Sequence, residues 1–419
     1  MTSLTPAVAR CLGTVALTAI SLLLLTGTAA VTGQESPALP DAVSKLRAEL
    51  EAGRQTLSFD ERMGYLPAVL RSLKIPEQSQ TLVFSKSSLH RDIVGPDNPR
   101  AIYFNDRVYV AYIPGSPQLE FAAVVPGGEP RFYALEQDPD RLAFERDDVC
   151  LLCHNPTRSA PIPGFNRLLM RSHYVDRDGH TLQHRDHQDE LQFPSHDRVP
   201  FEKRWGGWYV TGTHGTQRHL GNLLTRESVG SIGDVMRVTR QLSTEAGANV
   251  TSLSGRFDTS YYPSGHSDIV ALMVLGHQVE IENLITRAAR RGPSDGLAVR
   301  ALAEALLFAG EAPLAAAIAG TAGYRDVFEA STPLDREGRS LGYMDLERRL
   351  LRWPVSFMIY SPSFDALPAS VRQEIYRHID ESLAGASSLR GLPTLSDAER
   401  TTIRAILNET RPDFAAGLR

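Results

Sequence analysis

Five consecutive residues, Cys150-Leu151-Leu152-Cys153-His154, constrain this chain more than any other stretch. Two thiols with two residues between them, followed at once by an imidazole, match the attachment site of a c-type haem. Each sulfur would add to one vinyl group, and His154 would come under the iron as the proximal ligand, its other ring nitrogen donating to a backbone carbonyl. Two other readings compete. A Cys-x-x-Cys redox pair needs no adjacent histidine, and a zinc site needs two further soft ligands at close spacing.

Cysteine usage and the N-terminus bear on that choice. The chain has three cysteines in 419 residues, and Cys11 falls in an apolar run from Cys11 to Leu25. Arg10 is the single charged side chain in the first 33 residues, and small residues follow the run through Ala29, Ala30 and Gly33. This is the layout of a secretory signal peptide over 1–33, cleaved near Ala30 or Gly33, with an uncleaved anchor as the alternative. The mature chain then keeps Cys150 and Cys153 alone, which excludes a disulfide framework and leaves too few thiols for zinc. Covalent haem attachment takes place outside the cytoplasm, so signal and motif agree on a periplasmic or secreted protein. No other stretch reads as long and apolar enough to span a bilayer. A net charge of −5 argues against nucleic acid as a partner.

Along the chain the expected class is α+β. Residues 34–140 start with a Pro-containing linker and two helices, over 41–53 and about 60–73 with a break at Pro67, then turn to strands. Thr81–Ser85, Ala101–Asn105, Val108–Ile113, Gln118–Val125 and Arg131–Glu136 give a small antiparallel layer of four to five strands, read as scaffold. Residues 141–222 form a loop-rich haem segment, with a hairpin from Leu168–Val175 and Thr181–Gln183 and a strand in Trp205–Thr211. Low regularity suits a segment that wraps a cofactor. Residues 223–419 are mainly helical. Within them 223–262 is polar and unpatterned, and His266, Val270, Val274, His277, Ile281, Leu284 and Ala288 make one buried stripe. Further helices are expected around Asp295–Phe308, Ala312–Ala319, Met344–Trp353 and Ala369–Leu383. A last one is capped by Ser396 and Glu399.

The sixth iron position decides between a low-spin carrier and an open site. Its candidates are His214, His219, His196, His277, a methionine (Met170 or Met236 on spacing), or none. Nine of the 12 histidines lie between His154 and His266. Arg204-Trp-Gly-Gly-Trp208-Tyr-Val-Thr-Gly-Thr-His214-Gly is the second most distinctive stretch. Its paired glycines would let backbone approach a flat ligand, Trp205 and Trp208 would wall it, and His214 is the first choice for the distal side. Arg158, Arg167, Arg171 and Arg204 are the arginines placed to bind haem propionates bidentately. Met170 reads as core. His173, His180, His184 and His187 read as a solvated loop with at most a weak metal site. His266 and His277, eleven residues apart, differ by about 20° on an ideal helix and are expected to face the same way.

The chain resembles a family of large, exported, single-haem c-type cytochrome-domain proteins of environmental bacteria. The likeness covers nearly the whole mature chain. It rests on Asn98-Pro-Arg-Ala-Ile-Tyr-Phe-Asn-Asp106, Cys150–His154, Arg204–Gly215 with Arg218-His-Leu-Gly-Asn222, Leu272-Met-Val-Leu with His277-Gln278, and Phe364-Asp-Ala-Leu-Pro368. It implies haem binding and a redox function, with no settled substrate. Relatives carry Glu-His-Gln and a second histidine in the helix, where this chain has Gly276 and Glu282, so the likeness does not extend to a two-histidine site there. The expected activity is electron transfer through one covalent haem to or from a periplasmic partner. The alternatives are a peroxidase- or oxygenase-like haem enzyme with an open iron site, and a haem sensor. Size weighs against a simple carrier, which needs only about 100 residues.

Overall fold

Alternating burial along the strands sets the architecture, because each strand turns every second side chain to the same side. The computed structural model describes residues 40–155, 165–183, 191–225, 231–245 and 248–417. The expected signal, most of the linker, Arg158, His184 and His187 lie outside these residues. The strands are β1 (Thr81–Val83), β2 (Arg100–Phe104), β3 (Val108–Tyr112), β4 (Gln118–Ala123), β5 (Arg131–Glu136), β6 (Phe144–Arg146), β7 (Arg171–His173), β8 (Gln192–Pro194) and β9 (Trp208–Tyr209). Seven of them form one antiparallel sheet in the order β6-β5-β4-β3-β2-β1-β9. The sheet therefore exceeds the expected four to five strands. One addition, β6, is a three-residue edge too brief to show a period, and the other, β9, is the strand expected within Trp205–Thr211, here joined to the same sheet.

One face carries Leu82, Ala101, Tyr103, Val110, Tyr112, Leu119, Phe121, Tyr133 and Leu135, buried under helices α1 (Ala42–Glu51) and α2 (Leu66–Ser72). Asp41 caps α1 by accepting from Ser44 N, and its other oxygen accepts from the Tyr133 hydroxyl at 2.8 Å, which ties the helix to the sheet. Pro67 sits in the first turn of α2, where its missing N–H costs nothing, so it starts that helix instead of breaking it. The opposite face carries Val83, Ile102, Phe104, Tyr109, Ala122 and Trp208, and packs against the helical half. Each such side chain fully buried contributes about 1.5–3 kcal/mol.

Within 141–222 the chain turns back across Asp178-Gly179 as expected, with an antiparallel bridge between Val175 and Thr181 and Leu182 N donating to Tyr174 O, while the regular ladder of this region joins β7 to the later strand β8. Besides the single turn α3 (Leu151–His154), the later helices are α4 (Ile232–Glu245), α5 (Ile269–Arg291), α6 (Gly296–Leu306), α7 (Tyr324–Ala330), α8 (Pro362–Asp365), α9 (Ala369–Leu383), α10 (Asp397–Thr410) and α11 (Pro412–Gly417). Helix α4 lies in the stretch read as unpatterned. Its Val235, Val238 and Leu242, spaced by three and four, share a small core with Leu182 and Leu191.

Asp268 caps α5, accepting from Val270 N and Ala271 N, and left-handed Gly292 (φ 70°) ends it. His266 precedes the cap, so it is off the helix and does not share a face with His277. Sixteen of the 23 residues of α5 are buried, so this is a core helix on nearly every side, not one with a single stripe. By length and composition it could cross a membrane, contrary to expectation, but 83% of its most apolar window is buried inside the protein. The Ala312–Ala319 and Met344–Trp353 stretches are not helical. Their backbone N–H groups are taken by distant carbonyls: Ile318 donates to Leu346, Leu314 to Arg348 and Ala319 to Thr213. Ser396 and Glu399 form the expected capping box on α10.

Candidate functional site

Asp147 begins the local geometry by accepting from Val149 N at 3.0 Å. The chain then makes a turn of 3-10 helix and the single turn α3. This brings Cys150 inward and leaves Leu152 and Cys153 exposed, and both thiols are free. Burial, with Asp147 beside it, pushes the Cys150 thiol up to about 12. His154 is held at two points: Arg167 N donates to its carbonyl at 2.9 Å, and its Nδ1 lies 2.7 Å from the Arg167 carbonyl, so Nδ1–H is the donor. Its ring lies 4.6 Å from that of Phe132. Burial lowers its affinity for a proton, which keeps the imidazole neutral. Nε2 has no hydrogen-bond partner among the described residues.

The motif sits over β4 and β5 on the face that holds Phe132, Ala134, Glu120 and Ala122. Glu120 pairs with Arg100 and with His90, whose Nε2 is 3.1 Å away. Burial opposes ionisation of Glu120, yet Arg100 and His90 hold its carboxyl down to about 2. The sheet thus places a charged cluster close to the motif. Its signal was two opposite charges, Arg100 and Glu120, at half-buried strand positions. Arg167 and Arg171 have no carboxylate partner among the described residues. Burial, then the neighbouring Arg167, lowers the pKa of Arg171. Beside them is a cavity of about 320 Å³ lined by Arg167, Met170, Arg171, Phe193, His196 and Glu280. Met170 is buried, and Glu280 is already paired with Arg198.

The Trp-Gly-Gly-Trp stretch is brought together differently from its expected role. Arg204 is buried and donates to Val199 O at 2.8 Å and Asp197 O at 2.6 Å, so it pins that loop instead of facing solvent or a carboxylate ligand. Trp205, with φ 63°, is buried edge-on to Phe201 at 5.0 Å. Trp208 lies next to Val83 on the helical-half face and donates from Nε1 to Arg171 O at 2.8 Å. The close approach allowed by the glycines is to protein: a Cβ on Gly206 would overlap the His173 carbonyl, and Gly207 O accepts from Phe84 N and Ser85 N.

His214 has both ring nitrogens engaged. Nδ1 is 2.7 Å from Gln217 O, and Nε2 is 3.2 Å from His219 Nε2. His219 Nδ1 accepts from Gly221 N at 3.0 Å, so its proton is on Nε2 and points to His214. Burial, with His214 beside it, pushes His219 down to about 3.

His277 stacks on Phe308 at 4.5 Å. Its Nε2 is 2.7 Å from Ser356 Oγ, and its Nδ1 is 3.5 Å from Asp197 Oδ1. A serine, a histidine and an aspartate in that order resemble a hydrolytic relay, but all three are buried and Ser356 Oγ also accepts from Met358 N as a helix cap. A nucleophile has to reach its substrate, so this line serves packing. No local pattern announces it, because positions 197, 277 and 356 meet only in the fold.

His173 is buried, not solvated, and burial pushes it down to about 4. His180 is exposed on a turn with Asp176 and Asp178, their ligand atoms within 4.8 Å of one another. At the two positions where the resemblance fails, Gly276 leaves room for the Ser195 carbonyl, and burial pushes Glu282 up to about 8. No family model matches this chain, and neither a curated protein nor a solved structure matches it.

Proposed function

We propose that one haem c is attached at Cys150 and Cys153 with His154 as its proximal ligand, and that this is an exported redox protein exchanging electrons with a periplasmic partner. The observation that carries the reading is the clamped imidazole: His154 Nδ1 is fixed by the Arg167 carbonyl and Nε2 is left over, on the same turn as two free thiols. The donor set fits the group, since an iron ligand has to be a neutral imidazole with one nitrogen available. Haem, when bound, supplies one-electron chemistry at iron. The chain's own part is to orient His154 through Arg167 and to offer Arg167 and Arg171 to the propionates. Phe132 and the half-buried Ala134 provide the adjoining sheet surface.

A second reading, a haem-dependent oxidoreductase with an open sixth position, is favoured by the engagement of both nitrogens of His214 within the protein. Optical and EPR spectra of the exported protein, with and without cyanide, test both. A low-spin iron indifferent to cyanide supports electron transfer. A high-spin iron that binds cyanide supports the enzyme. Absence of covalent haem overturns the proposal and returns Cys150 and Cys153 to a redox pair.

A further inference from the structure

A cavity of about 610 Å³ lies away from the haem motif, between α2, the β2–β3 turn, α7 and the segment Phe357–Tyr360. That volume is within the range of small-molecule sites, about 300–1,000 Å³. Its inner wall is aromatic and apolar. Phe104, Tyr324, Phe328 and Phe357 form a chain of ring contacts at 5.7, 6.0 and 4.8 Å, and Met358 adjoins them.

Two polar atoms among the lining residues are left over. Gln278 is 3% exposed, and its Nε2 donates to the Asn105 carbonyl at 2.6 Å and to the Tyr109 hydroxyl at 2.8 Å. A backbone carbonyl only accepts, so the amide nitrogen is the atom facing it, and Oε1 is the remaining acceptor. No described residue donates to Oε1. Tyr324 is 4% exposed, and its hydroxyl makes no hydrogen bond among the described residues. Both residues line the cavity, so a ligand there meets polar groups that the protein leaves unused.

We propose that this cavity binds a small neutral aromatic molecule bearing a hydroxyl, a phenol in class. The ring packs on the aromatic wall, and the hydroxyl donates to Gln278 Oε1 and accepts from Tyr324. The rim holds both signs, Arg71, Lys74 and Arg107 against Glu77 and Asp106, so selection rests on the aromatic wall and the two polar atoms more than on net charge.

The test is calorimetric titration of the full exported protein with 4-propylphenol, 4-propylanisole and propylbenzene. The phenol binds, and the anisole, which cannot donate, binds about tenfold more weakly or worse, the size of one hydrogen bond. Tyr324→Phe weakens the phenol by about three- to tenfold. Val327→Trp, which fills the wall, abolishes binding while the thermal transition is retained. No phenol binding at about 10 mM, a limit weaker than about 3 kcal/mol of affinity, overturns the proposal. So does equal affinity for phenol and anisole, or unchanged binding in both variants. The haem spectrum is independent of these outcomes, so the two proposals fail separately.

Discussion

His154, at the end of the single turn α3, and His214, in a loop, both lie beside aromatic side chains, and the fold treats them in opposite ways. His154 lends one nitrogen to a backbone carbonyl and keeps the other unpartnered. His214 commits both, one to the Gln217 carbonyl and one to His219. A metal ligand needs a lone pair that the protein does not use, so the count of engaged nitrogens separates a candidate ligand from a structural histidine better than residue type or neighbouring glycines do. The largest expected effect follows from this. With haem held as proposed, His154→Ala removes normal axial ligation and His214→Ala leaves the spectrum as it was. Optical spectra of the two exported variants check both halves, and a lost low-spin signature in His214→Ala would reverse the comparison.

Acid separates the regions next. His219 and His173 have pKa values near 3 and 4, against an ordinary histidine value of about 6.5. Both are neutral in the fold, and below about 6.5 the unfolded chain takes up protons that the folded chain refuses. Their contribution is complete above that value and is lost as pH falls toward 4 and 3. The carboxyls of Glu120 and Asp197, held at about 2, extend the loss below the usual carboxylate range of about 4. Glu282 and Glu311, which burial pushes up to about 8 and about 7, keep their protons in the fold and oppose this loss down to about pH 4.5. Urea unfolding midpoints should therefore fall most clearly below about pH 4.5, while thioether-bound haem stays on the chain. A flat profile would mean that the His214–His219 pair is open in solution.

His214→Ala should also cost about 1–3 kcal/mol, because it leaves the buried Nε2–H of His219 without an acceptor. Chemical denaturation measures this. A change within about 0.5 kcal/mol, the range of ordinary surface substitutions, would remove the structural role assigned to the pair.

How far the sequence could be read depended on how local the information is. Cys150–His154 is five residues long and carries its chemistry in its spacing. The strands from Thr81 to Glu136 showed in alternation because one side of each is turned into a core. The partner that decides the role of His154 is not local: Arg167 reaches back to it across 13 positions, and Asn283 fixes Leu168 across 115. The Ala312–Ala319 stretch has helical composition, yet its N–H groups pair with residues of other segments, and tertiary bonding overrode propensity. Trp-Gly-Gly-Trp was legible as a place of close approach, but composition does not say whether the approaching surface is a ligand or, as with the His173 carbonyl, the chain itself.

The smallest effect belongs to His277, which lies between the two extremes. Its Nε2 has Ser356 Oγ at 2.7 Å, while its Nδ1 meets Asp197 at 3.5 Å, too long for a good hydrogen bond. Ser356→Ala removes one bond to a buried imidazole and the cap on Met358 N, with Phe308 still stacked on the ring. About 1 kcal/mol of stability should be lost, with the haem spectrum unchanged and no ester hydrolysis to lose, since no solvent reaches Oγ. Denaturation midpoints of Ser356→Ala and of Ser356→Thr, which keeps the hydroxyl, measure the term. Equal losses in both would assign it to packing around Leu306 and not to the hydrogen bond.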